Sequence, residues 1–478
     1  MKKLNNKDLI SLAEDIWDYA ELKFEEEKSS KAQMAFLKDY GFAIEDNLAG
    51  IPTAFKAEYE YGNEGPCLAI LGEFDALSGL SQVEDLTERK EKVKGACGHG
   101  CGHHLLGSGS IGAAINIRNY IEENKIKAKV IYFGCPAEEG GSAKAFMARA
   151  GVFNGADLAI SWHPFNGTGV LTGSMQANKQ VYVRFYGQGA HAASNPQLGR
   201  SALDALELVN VGVNFLREHI EDTDRIHYAI TDSGGSSPNV VQPYAEGLYL
   251  MRSLDVKGVE KLYERFKKIV EGAGLMTETR PEIVFDKACS NIVSNRTIEE
   301  ILYQALLEEG PVKYTDEDLD YAKKFRDILP EENLNAEMSL KFGNPMDKQK
   351  ELNYLREHLL YDKILDYYHK ETAIMGSSDV GDVSNVIPTS QIIVACFAIG
   401  TAVHSWQEVA QGKSSYAIKG MLKAVDVLTN AGKKILDNPE LIKKAKEELI
   451  NRRGKEFISP IPEGQLPLQV QKMKNKNK

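Results

Sequence analysis

Cys67-Leu-Ala-Ile-Leu-Gly-Glu-Phe-Asp-Ala-Leu77 decides how the chain is read. Cys67 to Leu71 is a short apolar run closed by a glycine, which predicts a buried strand. Glu73 and Asp75 follow at its exit. Three more runs repeat the pattern: Ala128–Phe133, Leu158–Ser161 and Ile392–Cys396. Helical stretches near 105–123 and 143–150 lie between them. Alternating strand and helix predict an α/β fold, a mostly parallel sheet with helices on both faces. Such sheets carry their sites just beyond the strand ends.

Each strand end here is followed by residues that carry chemistry. Cys97-Gly-His-Gly-Cys-Gly-His-His104 packs two cysteines and three histidines into eight residues, and glycines fill the rest. That density of N and S donors points to a transition metal. The apolar run after it reads as a buried helix, whose N-terminus favours a thiolate. The plain alternative is a glycine-rich turn with incidental histidines. Asp75 could accept a hydrogen bond from a metal-bound histidine and set its tautomer. It could equally cap a turn. In Cys135-Pro-Ala-Glu-Glu-Gly-Gly141 two adjacent glutamates stand at a buried strand end, which is costly unless something pairs them. Ser161-Trp-His-Pro164 and Gly400-Thr-Ala-Val-His-Ser-Trp406 each place one histidine beyond a strand.

Taken together, Cys101, His103, Glu139, His163 and His404 are five candidate ligands. They exceed the three protein ligands typical of a single catalytic zinc. They suit a pair of ions about 3.5–4 Å apart, with a bridging thiolate or carboxylate and a bridging water. Glu138 would take the proton of that water and pass it to a leaving amine. This machinery hydrolyses amides.

The pattern changes near residue 179. Val181-Tyr-Val-Arg-Phe-Tyr186 alternates with period two, and helices near 199–219 and 257–272 interleave with strands near 225–231, 246–252 and 282–286. This β-α-β-β-α-β order predicts an inserted ferredoxin-like α+β domain. The expected domains are therefore 1–178 plus 293–478, catalytic and metal-binding, and 179–292, a dimerisation or lid domain. Residues 312–370 are read as a helical elaboration of the former, and the Pro-containing end, 459–478, as a mobile tail. His191, in a small-residue loop, could polarise a carbonyl or stabilise an oxyanion. Asn239 lies on a turn. Arg252 could clamp a carboxylate or form a surface ion pair.

Bulk properties narrow the class. The 478 residues carry a net charge of −11, which leaves no basic surplus for nucleic acid. No run is long enough to span a membrane. Six scattered cysteines do not suggest a disulfide framework, so a reducing cytoplasm is expected.

These motifs resemble a group of dinuclear metallopeptidases and amidohydrolases. It contains aminoacylases, glutamate carboxypeptidases and indole-acetyl-amino-acid hydrolases. Gly72-Glu-Phe-Asp-Ala-Leu-Ser-Gly-Leu80, Ala192-Ala-Ser-Asn-Pro-Gln-Leu-Gly-Arg-Ser-Ala-Leu-Asp204, Ser236-Ser-Pro-Asn-Val-Val-Gln242 and Ser378-Asp-Val-Gly-Asp-Val-Ser384 extend the likeness to amidohydrolases that split aromatic acyl-glutamates such as p-aminobenzoyl-glutamate. The resemblance implies two divalent ions, Mn or Zn, bridged by Cys101 and completed by His103, Glu139, His163 and His404. It implies Glu138 as base and Asp75 behind a ligand. His191 and Asn239 would reach a small N-acyl-amino-acid substrate, and Ser377, Ser378 and Asp379 would lie on a loop near the pocket. Arg252 is a further substrate-binding candidate from its own position. A homodimer, or a heterodimer with a homologous chain, is also implied. A dipeptidase or other N-acyl-amino-acid hydrolase, and a non-catalytic supporting subunit, are the alternatives. His99 and His104 are expected to serve as hydrogen-bonding neighbours.

Overall fold

The computed structural model describes residues 2–334, 348–369 and 373–476. The chain divides into two compact units. The first comprises Met1–Ser174, Val293–Thr372 and Val383–Phe457; the second comprises Met175–Ile292, Ala373–Asp382 and Ile458–Lys478.

The first unit is built on a seven-stranded sheet. Its strands are β1 (Ala43–Glu45), β2 (Phe55–Tyr61), β3 (Cys67–Glu73), β4 (Ala128–Cys135), β5 (Leu158–Phe165), β6 (Gly169–Leu171) and β11 (Thr389–Ala395). They lie in the order β1-β2-β4-β3-β5-β11-β6. The middle four, β4, β3, β5 and β11, pair in parallel. Antiparallel pairs flank them on both sides. Every residue of β3 and of β11 is buried. A strand covered on both faces must be apolar throughout, and that is why these runs stood out in the sequence.

Helix His103–Glu123 packs on β3 and beside helix Ser415–Asp437. Its small residues allow close approach. A Cβ at Gly107 would stand 2.7 Å from the backbone oxygen of Glu73. The helix thus brings its first residue, His103, to the end of β3.

The second unit holds a four-stranded antiparallel sheet: β7 (Ala177–Tyr186), β8 (Arg225–Asp232), β9 (Tyr244–Ser253) and β10 (Arg280–Cys289). The order is β10-β7-β9-β8, and helices Ala202–Leu216 and Val256–Thr277 follow β7 and β9. Val181, Val183, Phe185, Leu206, Val209 and Phe266 are among the fully buried residues of its core. This is the ferredoxin-like order.

Three readings of the sequence differ from the structure. Residues 373–382, with Ser378 and Asp379, group with the second unit and not with the sheet that carries the metal-ligand candidates. Residues 458–478 do the same. The expected mobile tail contains helix Leu468–Lys476, and Ile461 and Val470 are buried, so apolar residues among its prolines and lysines tie it down. The helical elaboration is present as Asp316–Arg326 and Lys348–Glu357; residues 335–347 and 370–372 lie outside the described part of the chain.

Candidate functional site

Five side chains converge at the ends of β3, β4, β5 and β11, all within the first unit. Cys101, His103 and His163 bring one donor atom each within 4.8 Å of one another, and so do Cys101, Glu139 and His404. Cys101 belongs to both groups, which makes it the shared donor of two adjacent clusters.

The backbone sets up this convergence. Gly102 has φ +69° and leads into helix His103–Glu123; a Cβ there would strike Pro164 at 2.6 Å. This bend directs the helix away from Cys101, so a thiol and an imidazole from neighbouring residues share a focus. Glu138 and Glu139 occupy a one-turn helix flanked by Ala137 and Ser142, both left-handed at φ +57° and +53°. His404 is left-handed too, at φ +58°. Non-glycine residues hold that conformation only where surroundings impose it. At Ala137 the imposing group is buried Glu26, whose Oε1 accepts the Ala137 N–H at 2.8 Å while Oε2 accepts from Thr53 at 3.0 Å. At His404 two acceptors share the N–H: Gly100 O at 2.8 Å and Glu408 Oε2 at 3.0 Å.

Hydrogen bonds aim the imidazoles. Nδ1 of His103 lies 2.9 Å from Oδ1 of Asp75, and Nδ1 of His163 lies 2.8 Å from the Pro164 carbonyl oxygen. Each Nδ1 donates, so each Nε2 faces the cluster: that of His163 offers a lone pair, and that of His103 does so once it gives up its proton. The second oxygen of Asp75 accepts the backbone N–H of Glu139 at 2.9 Å.

The donor set fits a divalent metal. Nε2 of His103 and Oε1 of Glu139 are buried without a hydrogen-bond partner, although buried polar atoms are nearly always satisfied. Contacts within the clusters have the length of a coordination edge. Cys101 Sγ to His163 Nε2 is 3.5 Å and His404 Nε2 to Glu139 Oε1 is 3.4 Å. Two ligands each about 2.1 Å from a tetrahedral zinc stand roughly 3.4 Å apart.

Charges at the site are strongly perturbed. Burial opposes charge on His103, but Asp75, through its hydrogen bond and its charge, and then Glu73 hold the imidazole well above its usual range. Burial likewise works against ionised Glu139, yet His404 and His103 bring its carboxyl down to about 2. Burial pushes the Cys101 thiol well up, and Glu139, Glu408 and Glu138 push it further. The helix N-terminus favours a thiolate, but burial outweighs it in the metal-free site, so a bound cation would displace the thiol proton.

The rest of the dense loop turns elsewhere. His99 Nε2 contacts the Ile16 carbonyl oxygen at 3.0 Å, and His104 Nε2 that of Gly412 at 2.8 Å. Neither belongs to the described clusters.

Within the second unit, His191 and Asn239 sit on adjoining loops joined by the His191–Val240 bridge. His191 is exposed, and its Nδ1 accepts the N–H groups of Ala193 and Ser194, both at 3.2 Å. The remaining ring proton is therefore on Nε2. Arg252 donates from Nη1 to Ser377 Oγ at 2.8 Å. Ser378 Oγ accepts the Val380 N–H at 3.3 Å, and Asp379 is buried.

Sequence reasoning missed Glu26, Lys144 and Glu408, and it marked Glu73 beside Asp75 without giving it a role. For Glu408 a signal existed. Ser405 caps helix Trp406–Gln411 and receives the Glu408 N–H, while the Glu408 carboxylate reaches back to His404. Ser-x-x-Glu marks such a helix start, although here the glutamate reaches His404, one residue before the cap. Glu26 and Lys144 carry no pattern of their own; only the fold buries them here.

Residues 176–276 match the peptidase dimerisation domain of the M20 family. Over 439 residues the chain is 42% identical to one relative. It therefore belongs to the M20 family of peptidases and amidohydrolases, and it is a hydrolase of C–N amide bonds. That relative is one of the chains of p-aminobenzoyl-glutamate hydrolase from Escherichia coli (strain K12), and the alignment covers 91% of each sequence. The fold is shared with an aminobenzoyl-glutamate utilization protein from Klebsiella pneumoniae (TM-score 0.58, 16% identity, 91% of this chain and 96% of that one). It is also shared with a dinuclear metal-binding M20 peptidase from Bacillus subtilis (TM-score 0.52, 18% identity, 88% and 98%). No helix of the described residues is long and apolar enough to cross a membrane.

Proposed function

We propose that the chain hydrolyses the amide between an aromatic acyl group and glutamate, with p-aminobenzoyl-glutamate as substrate. Two divalent ions, zinc or manganese, would be held by Cys101, His103, Glu139, His163 and His404, with Cys101 common to both donor groups. The observation that carries this reading is the pair of donor clusters joined at Cys101, in a chain 42% identical to a chain of p-aminobenzoyl-glutamate hydrolase.

When bound, such ions make water acidic near neutral pH and polarise an acyl oxygen. The chain's own residues do the rest. Glu138 takes the proton of the attacking water on its carboxylate and returns it to the leaving nitrogen. Asp75 keeps the His103 lone pair on Nε2. His191 donates from Nε2–H to the oxyanion. Asn239 binds the substrate by hydrogen bonds, and Arg252 pairs with a substrate carboxylate. Ser378 and Asp379 complete the substrate contacts.

The chain works in the cytoplasm as a dimer with a second copy, formed through the second unit. Strand β8 is an edge of its sheet. Tyr228 and Ile230 on that strand, and Val211 and Phe215 on helix Ala202–Leu216, are exposed apolar residues. Light scattering after gel filtration tests the dimer, and a monomeric mass contradicts it.

A panel of N-acyl amino acids tests the reaction. The metal-loaded protein should release glutamate from p-aminobenzoyl-glutamate and act far more slowly on p-aminobenzoyl-alanine. Equal rates would favour a general N-acyl-amino-acid hydrolase.

A further inference from the structure

Glu73 and Lys144 form an ion pair at 2.7 Å, with both side chains buried (2% and 0% exposed). Nothing in the proposed reaction uses them. Burying such a pair is costly, and replacing it with apolar residues is often neutral or stabilising. Its location suggests what it does. Lys144 takes Oε1 of Glu73, and Oε2 lies 3.3 Å from Nε2 of His103. That nitrogen is one of the two buried donor atoms of the site without a hydrogen-bond partner. The spacing matches the roughly 3.4 Å edge between two ligands of one tetrahedral ion, as do the Cys101–His163 and His404–Glu139 spacings. Glu73, His103 and Glu138 also bring their donor atoms within 4.8 Å of one another.

We propose that Glu73 is a further metal ligand, on the His103 side of the site, and that Lys144 is the positioning residue that holds it there. This rests on the reading that Cys101, His103 and His163 hold an ion. The backbone supports the placement. Glu73 ends β3, and Gly107 lets the helix that begins with His103 close onto the Glu73 carbonyl. Lys144 lies in the first turn of the helix after the Glu138–Glu139 turn, so the pair ties that turn to the strand. Lys144 also offsets the charge of a fourth acidic group among Cys101, Glu138 and Glu139.

Four proteins test this: wild type, Glu73→Gln, Lys144→Met and the double variant. Each is stripped of metal and titrated with cobalt(II), whose visible spectrum reports ligands, and with zinc against a chromophoric chelator. Thermal melts accompany both. Glu73→Gln and the double variant should each lose about tenfold or more in affinity for one ion and change the cobalt band. Lys144→Met keeps the carboxylate but frees it, so it should still bind two ions, with a smaller loss of affinity than Glu73→Gln and a cobalt band only slightly altered. Wild-type affinity and spectrum in this variant would remove Lys144 from the proposal. A purely structural pair behaves differently: the single variants are equally impaired, and the double variant recovers wild-type affinity. That result overturns the proposal. So does Glu73→Gln with wild-type affinity and spectrum. A wild-type protein that binds no ion overturns both this and the metal reading beneath it.

Discussion

Asp75 holds His103 by a 2.9 Å hydrogen bond to Nδ1, and its second oxygen holds the backbone N–H of Glu139 at the same distance. One carboxylate thus joins the histidine at the end of β3 to the glutamate turn after β4. It needs two acceptors to do so. Asparagine has one. Asp75→Asn should therefore weaken metal binding by about 10–100-fold and lower activity with it. Chelator competition on the purified variant measures this. Unchanged affinity would mean that the two hydrogen bonds do not orient the site.

Glu138 should separate chemistry from metal binding. Glu138→Gln should lower kcat by about 10²–10⁴-fold while two ions stay bound. Metal analysis beside steady-state kinetics distinguishes the cases. If both ions are lost, Glu138 is a ligand and some other group is the base.

Metal binding should release protons. In the metal-free protein the His103 imidazole is held well above 6.5 and the Cys101 thiol well above 9.0. Both are protonated at neutral pH, and both must lose the proton to coordinate. Affinity should thus rise with pH through the neutral range. Calorimetry in two buffers of different ionisation enthalpy should show one proton leaving from each group per two-ion site. Heats independent of buffer would contradict this.

Glu408 should tolerate an amide and not a methyl group. Burial, and then the charge of Glu139, push its carboxyl well above the usual range, so it accepts the His404 N–H in neutral form. Glu408→Gln keeps an acceptor of the same shape and should stay near wild-type activity. Glu408→Ala leaves the left-handed His404 with one restraint fewer and should lose about 10–100-fold in metal affinity or activity. Equal behaviour of the two variants would remove Glu408 from the account.

Much of the fold was legible because the parallel core writes itself as unbroken apolar runs. β3, β4, β5 and β11 are covered by structure and can contain little else. The flanking strands were missed for the converse reason. β2, Phe-Lys-Ala-Glu-Tyr-Glu-Tyr, alternates, is partly exposed, and looks like the charged sequence around it. The donor residues were legible because cysteine, histidine and paired glutamate are rare at strand ends. Their supports were not. Glu26 stands 111 residues from Ala137 in sequence, and only the folded chain brings it there. The grouping of 373–382 with the second unit had the same cause. Its motif looked like site sequence, and long-range contacts decided where it went.

Two ions that share Cys101 are expected to run the hydrolysis. The most direct measurement is a titration of metal-stripped protein with manganese or zinc, with glutamate release from p-aminobenzoyl-glutamate as the readout. Release should be nil without metal and reach full activity at two equivalents per chain. Full activity in the stripped protein, or saturation at one equivalent, would contradict it.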